Sequence, residues 1–173
     1  MTQAEALAIL KTGANALITG EPGSGKTHTV NEYVSWLRSH GIEPAITAST
    51  GIAATHVGGM TIHSWSGIGI RERLTAADLD AITSKEYLSR RIGKTSVLII
   101  DEVSMLSGEV LGMVDEVLRE VKGNELAFGG IQIVLVGDFF QLPPIAKAGR
   151  EASFAFESEA FRALNPLILY LSE

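Results

Sequence analysis

The chain has 173 residues, is 46% hydrophobic and carries a net charge of −6, enough material for one cored domain but not a generally basic nucleic-acid coat. It has no cysteine, which excludes a disulfide framework and any thiolate zinc site and suits a reducing compartment. Its longest aliphatic runs, such as Val97-Leu98-Ile99-Ile100, are far too short for a bilayer, and Met1-Thr2-Gln3-Ala4-Glu5 lacks the basic start and apolar stretch of a signal peptide.

Residues 3–12 read as a short helix, with Ala6, Leu7 and Leu10 on one side and Gly13 behind it. Strand one is expected at 15–20, within an apolar stretch short enough to be buried. The next eight residues, Gly20 to Thr27, match G-x-x-x-x-G-K-[ST], and Val30, Tyr33, Val34 and Leu37 then recur at helical spacing up to a capping Gly41. Strand two, 45–49, follows the Glu43-Pro44 break. Small residues dominate 50–60, including Gly51, Gly58 and Gly59, a composition that allows close backbone approach to a ligand or to a neighbour without deciding which.

After Thr61-Ile62-His63-Ser64-Trp65 come two short helices, roughly 75–82 and 84–92, the first capped by Thr75. Strand three is placed at 96–100, with Asp101-Glu102 at its C-terminal end. An amphipathic helix over about 109–122 sets Val110, Met113, Val114, Val117, Leu118 and Val121 on one face and ends at Gly123. Strand four (131–136), a loop from Phe139 to Pro144, a short helix near 158–164 and a fifth strand at 167–171 complete the chain. Continuous aliphatic strands alternating with helices predict an α/β fold, a parallel sheet of about five strands covered on both faces, with ligands at the strand C-termini. No repeat or linker divides the sequence, so a single domain over 1–173 is expected.

Six of the fourteen Lys and Arg residues but four of the twenty acids lie between Arg71 and Lys94. That segment is either a backbone-contacting patch or a solvated helix pair, and charge alone favours the second.

The strand, glycine-rich turn and helix around residues 20–27 form the context in which this motif binds phosphate. Backbone N–H groups and the helix N-terminus point at the anion, Lys26 reaches the β- and γ-phosphates and the Thr27 hydroxyl ligates Mg²⁺. Gly20, Gly23, Ser24, Gly25 and His28 complete the nucleotide-binding stretch. In such an enzyme an acid in the position of Asp101 holds the Mg²⁺, and Glu102 is placed to polarise an attacking water. Gln141, beyond strand four on the same rim, suits a sensor of the γ-phosphate. The guanine-reading N-K-x-D string is absent, which favours ATP.

The blocks GEPGSGKTHT (20–29), ITASTGIAAT (46–55), GGMTIHSWSGIG (58–69), VLIIDEVSMLSG (97–108) and VLVGDFFQLPPI (134–145) resemble, in order and spacing, the Pif (petite integration frequency) family of superfamily-one DNA helicases, relatives of RecD. The resemblance implies a RecA-like P-loop domain in an ATP-driven motor that moves 5′ to 3′ on single-stranded DNA and unwinds duplexes, with roles in DNA repair, recombination and telomere maintenance. It assigns Lys26, Glu102 and Gln141 to catalysis, Thr27 and Asp101 to the metal, and Gln3 to adenine. It places Thr47, Ser49, Thr50 and Gly51 against DNA phosphates and His63 along the strand's path, where Trp65 offers a stacking face.

The resemblance ends just before the family's arginine-containing motif and second RecA-like domain, and neither Arg150 nor Arg162 stands at the matching place. The chain thus reads as the first motor domain alone, a monomer that binds nucleotide but does not unwind DNA. A soluble intracellular protein is expected, cytoplasmic or nucleoid-associated in a bacterium or phage, nuclear or mitochondrial in a eukaryote. Two other readings stay open: a P-loop ATPase driving a remodelling process without nucleic acid, and a non-catalytic nucleotide-binding regulatory module.

Overall fold

A computed structural model describes residues 1–138 and 154–172. Its six-stranded sheet contains β1 (Ala16–Gly20), β2 (Ala45–Ala48), β3 (Met60–Thr61), β4 (Val97–Asp101), β5 (Gln132–Val136) and β6 (Leu167–Leu171). The strands lie in the order β3-β2-β4-β5-β1-β6, and every pairing is parallel. The central strands are aliphatic because both faces are covered, and the period of two divides their side chains between two cores. Leu17, Leu98, Ile100, Ile133 and Leu135 enter one core. Ala16, Ile18, Val97, Ile99, Val134 and Val136 enter the other.

The first core is closed by α4 (Ile62–Ser66), α5 (Ala76–Thr83), α6 (Glu86–Gly93), α7 (Gly108–Lys122) and α8 (Glu159–Leu164), the second by α1 (Gln3–Lys11) and α2 (Lys26–Ser39). Short polar residues start most of these helices. Thr2, Thr61, Ser107 and Ser158 each accept a first-turn backbone N–H, and Thr75 with Asp78 forms a reciprocal capping box. The α7 stripe buries Met113, Val114, Val117 and Leu118 as its spacing predicts, and adds Leu111. No helix among the described residues is long and apolar enough to cross a membrane.

The additional strand β3 and α3 (Gly51–Val57) refine the sequence reading, which left 50–60 without an element and expected about five strands. Thr50 caps α3 and Gly58 ends it in the left-handed region. Beyond it, Met60 and Thr61 pair with Thr47 and Ala48. A Cβ on Gly59 would fall 2.1 Å from the Ile46 carbonyl oxygen, so this glycine serves a neighbouring strand. The basic segment 71–94 is largely a helix pair with internal uses for three of its four arginines. Arg71 lies 3.5 Å from Asp78, Arg90 pairs with Glu86, and Arg91 donates to the Trp65 carbonyl at 3.2 Å.

A buried polar knot fastens α1 to the sheet. Gln132 on β5 donates to the carbonyls of Leu10 (3.1 Å) and Ala14 (2.9 Å) and accepts from the Tyr33 hydroxyl (2.6 Å). Burial pushes the Tyr33 phenol pKa up, against the Gln132 hydrogen bond. Gln132→Leu strands the Tyr33 hydroxyl and the Ala14 carbonyl, while the Leu10 carbonyl keeps the Gly13 N–H at 3.0 Å, and each unmet buried group costs about 1–3 kcal/mol. We predict a stability loss of roughly 2–4 kcal/mol, read as a lower urea midpoint at unchanged m-value; an unshifted midpoint would show that the knot is not structural.

Candidate active site

The parallel sheet brings the C-terminal ends of β1, β4 and β2 to one rim, and the chemistry collects there. Leaving β1 at Gly20, the chain turns through Glu21–Gly25 and enters the fourteen-residue α2 at Lys26. Gly25, the N-cap, stands at φ 93°, where a side chain is strained. A Cβ there would also fall 2.0 Å from Gln3 Nε2, which donates to the Ser24 carbonyl at 3.4 Å. The α1 N-terminus thus lays Gln3 across the back of the loop. Lys26 Nζ donates to the carbonyls of Gly20 (2.6 Å) and Glu21 (3.2 Å). Gly23 and Thr27 are exposed, and exposed His28 lies 3.0 Å from Glu32 one turn along α2.

At the end of β4, Asp101 Oδ1 accepts the Glu102 N–H at 2.9 Å. Glu102 then takes φ 52° and ψ 45°, a left-handed turn that is costly for a residue with a side chain. Burial raises the Asp101 carboxyl pKa, partly offset by the Glu102 N–H and the Lys26 charge. Glu102 is raised first by burial and then by the Asp101 charge, again against Lys26. Two carboxylates share one cation in a partly desolvated place, an arrangement typical of working sites.

The residues fit Mg-nucleotide on two observations. Thr27 and Asp101 line the same small cleft of about 30 Å³, otherwise walled mostly by apolar side chains, which puts a hydroxyl and a carboxylate, both hard oxygen donors, on one cleft. Ser24 Oγ, inside the phosphate loop, is buried and has no hydrogen-bond partner. Beside the loop, Tyr170 and Ser172 join Glu21, Pro22, Gly23 and Ser24 around a groove of about 330 Å³. Sequence reading missed these two residues at the end of the chain. They reach the loop because β6 pairs with β1, a contact between opposite ends of the sequence with no local signal.

On the neighbouring rim, Gly51 is exposed and Thr50 and His63 are half-buried. The Thr50 hydroxyl accepts the Ala53 N–H at 3.2 Å. Ser49 is buried at the end of β2 and donates to the Glu102 carbonyl at 2.6 Å.

The PIF1-like helicase family model matches residues 2–172. The chain belongs to this family. Compared with the ATP-dependent DNA helicase Pif1 of Psychrobacter sp., it is 53% identical over 175 residues, an alignment covering all of this chain and 27% of that protein. Pif1 helicase from Candida albicans superposes with a TM-score of 0.92 at 37% identity, over 99% of this chain and 39% of that one. Pif1 helicase from Bacteroides, solved in complex with ADP-AlF3 and ssDNA, gives 0.86 at 31% identity, over 99% and 41%. The chain therefore spans about a quarter of the Psychrobacter helicase.

Within this PIF1-like domain, two expected DNA contacts are corrected. Trp65 is 4% exposed and packs into the first core, so its ring offers no stacking face. Thr47 is fully buried and its hydroxyl donates to the Ile99 carbonyl at 2.8 Å. Trp65 lies on α4, which closes the first core, and Thr47 lies on β2 between its two partner strands, β3 and β4. Gln141 lies outside the described residues.

Asp101 generates a prediction with a definite sign. Its folded pKa lies above the unfolded one, so its contribution to stability is full below the unfolded value of about 3.9 and falls as pH rises through the folded value. Asp101→Asn removes that cost while keeping an oxygen for the Glu102 N–H. We predict a nucleotide-free melting temperature at pH 7 higher by roughly 2–4 °C, an advantage that vanishes near pH 4, together with loss of Mg²⁺-dependent nucleotide binding. A lower melting temperature at pH 7 would contradict the desolvation argument.

Proposed function

We propose that this chain is the first ATP-hydrolysing motor domain of a 5′-to-3′ DNA helicase that tracks along single-stranded DNA. The observation that carries the reading is the convergence of Lys26, Thr27, Asp101 and Glu102 on one rim, with Thr50 and Gly51 beside them. The complex of the Bacteroides relative with ADP-AlF3 and ssDNA supports both ligands, and the polarity rests on the family resemblance.

In this mechanism the loop N–H groups and the α2 N-terminus hold the β- and γ-phosphates of ATP, and Gln3 contacts the adenine. Lys26 exchanges its loop carbonyls for phosphate oxygens. Thr27 and Asp101 would hold Mg²⁺, which would supply positive charge to offset that developing on the phosphates. Glu102 orients the attacking water and takes its proton, and its raised pKa brings it closer to working pH as a base. The glycines and His28 line the nucleotide, and Gln141 senses the γ-phosphate.

Closure needs a second RecA-like domain in cis carrying the arginine, a contribution usually worth about 10³–10⁵ in rate. The chain alone, a monomer inside the cell, then binds nucleotide, hydrolyses it slowly and does not unwind DNA.

The test is ATP turnover with and without single-stranded DNA, on this chain and on the chain joined to a second motor domain. We predict DNA stimulation of at least about 10²-fold in the longer form and near-background turnover in the shorter. Turnover indifferent to DNA in both forms would replace the helicase reading with a remodelling ATPase. Nucleotide binding without turnover under any condition would leave a regulatory module.

A further inference from the structure

The sequence sets Ser49 beside Thr50 and Gly51 on the DNA path, yet the structure turns its side chain towards the catalytic acids. Ser49 is 7% exposed. Its hydroxyl donates to the Glu102 carbonyl at 2.6 Å and its backbone N–H donates to the Asp101 carbonyl at 3.1 Å. One residue at the end of β2 therefore holds the two successive carbonyls where β4 ends.

What it holds is a strained turn. Glu102 is one of three non-glycine residues at positive φ among the described residues. Such a conformation persists where surrounding contacts over-determine it. Here the Glu102 N–H is fixed by Asp101 Oδ1, and its carbonyl by the Ser49 hydroxyl at 2.6 Å and the Met105 N–H at 3.1 Å. Immediately beyond Ser49 the chain meets solvent, since Gly51 is exposed and has open space where a Cβ would stand.

We propose that Ser49 is a positioning residue, whose hydroxyl holds the Glu102 backbone in the left-handed turn that aims the carboxylate. It thereby links the segment at half-buried Thr50 and exposed Gly51 to the catalytic acid. The inference rests on reading Glu102 as the general base and this rim as DNA-facing. A strand seated on residues 50–51 then acts on Glu102 through Ser49, whose hydroxyl and backbone N–H hold the Glu102 and Asp101 carbonyls, and Ser49 itself is no phosphate ligand.

The test uses the protein carrying both motor domains, with Ser49→Ala, Ser49→Thr and Glu102→Gln compared for kcat at saturating ATP and oligo-dT. The Kd for oligo-dT is measured alongside by fluorescence anisotropy. In Ser49→Ala we expect kcat to fall about tenfold with Kd changed by less than about twofold, and Ser49→Thr to restore most of the rate. A weaker Kd with kcat at saturation intact would place the hydroxyl on the strand and overturn the proposal. An unchanged kcat overturns it as well, and so does a loss that threonine fails to restore. If Glu102→Gln keeps full turnover, the general-base reading falls and takes the proposal with it. If Glu102→Gln is inactive and Ser49→Ala unaffected, the proposal alone fails.

Discussion

Two adjacent carboxylates sit partly out of water at the end of β4, with Lys26 near enough to offset part of their charge. Burial makes both acids reluctant to ionise, and the charge of the first makes the second more so. The Glu102 N–H and Lys26 offset only part of the burial, and the hydrophobic cores on either side of the sheet carry the rest. The site is thus built against stability, and its members are types that bind phosphate and metal: an ammonium, a hydroxyl, a carboxylate and a base.

The sheet makes that arrangement rigid. Asp101 ends a strand paired on both sides, by β2 and β5, so its carboxylate departs from a backbone with little freedom. The phosphate loop leaves β1, one strand beyond β5, and α2 starts from it. The same frame holds α1 through Gln132, and α1 in turn lays Gln3 against Gly25. The polar knot and the nucleotide loop are therefore two ends of one short helix, and the knot orients what touches the loop.

The proposed DNA rim follows a different logic. Between β2 and α5 the chain is rich in small residues, and the fold spends them on close packing: Gly59 against Ile46, β3 against β2, α4 over the first core. Once Trp65 and Thr47 are committed inward, Thr50, Gly51 and the half-buried His63 remain towards solvent from the expected contacts around Ser49, beside exposed Ile52, Thr55 and His56. The backbone and short hydroxyls at Thr50, Gly51 and Thr55 suit phosphate recognition without base preference.

By itself the sequence determined the phosphate loop, the acid pair after β4, the parallel α/β class, the family and the long helices. These are local patterns: a glycine spacing, a period of 3.6, an aliphatic run, a capping threonine. Only the tertiary structure decided the strand order, the two-residue β3, the helix at Gly51–Val57 and the orientations of Thr47, Ser49 and Trp65. Side chains as short as those of Thr47 and Ser49 suit a core, a cap or a surface about equally, so no local pattern says which way they point. Their hydroxyls face whichever carbonyl lies nearest, and here those carbonyls belong to Ile99 and Glu102, distant in sequence and near them only because β2 pairs with β4.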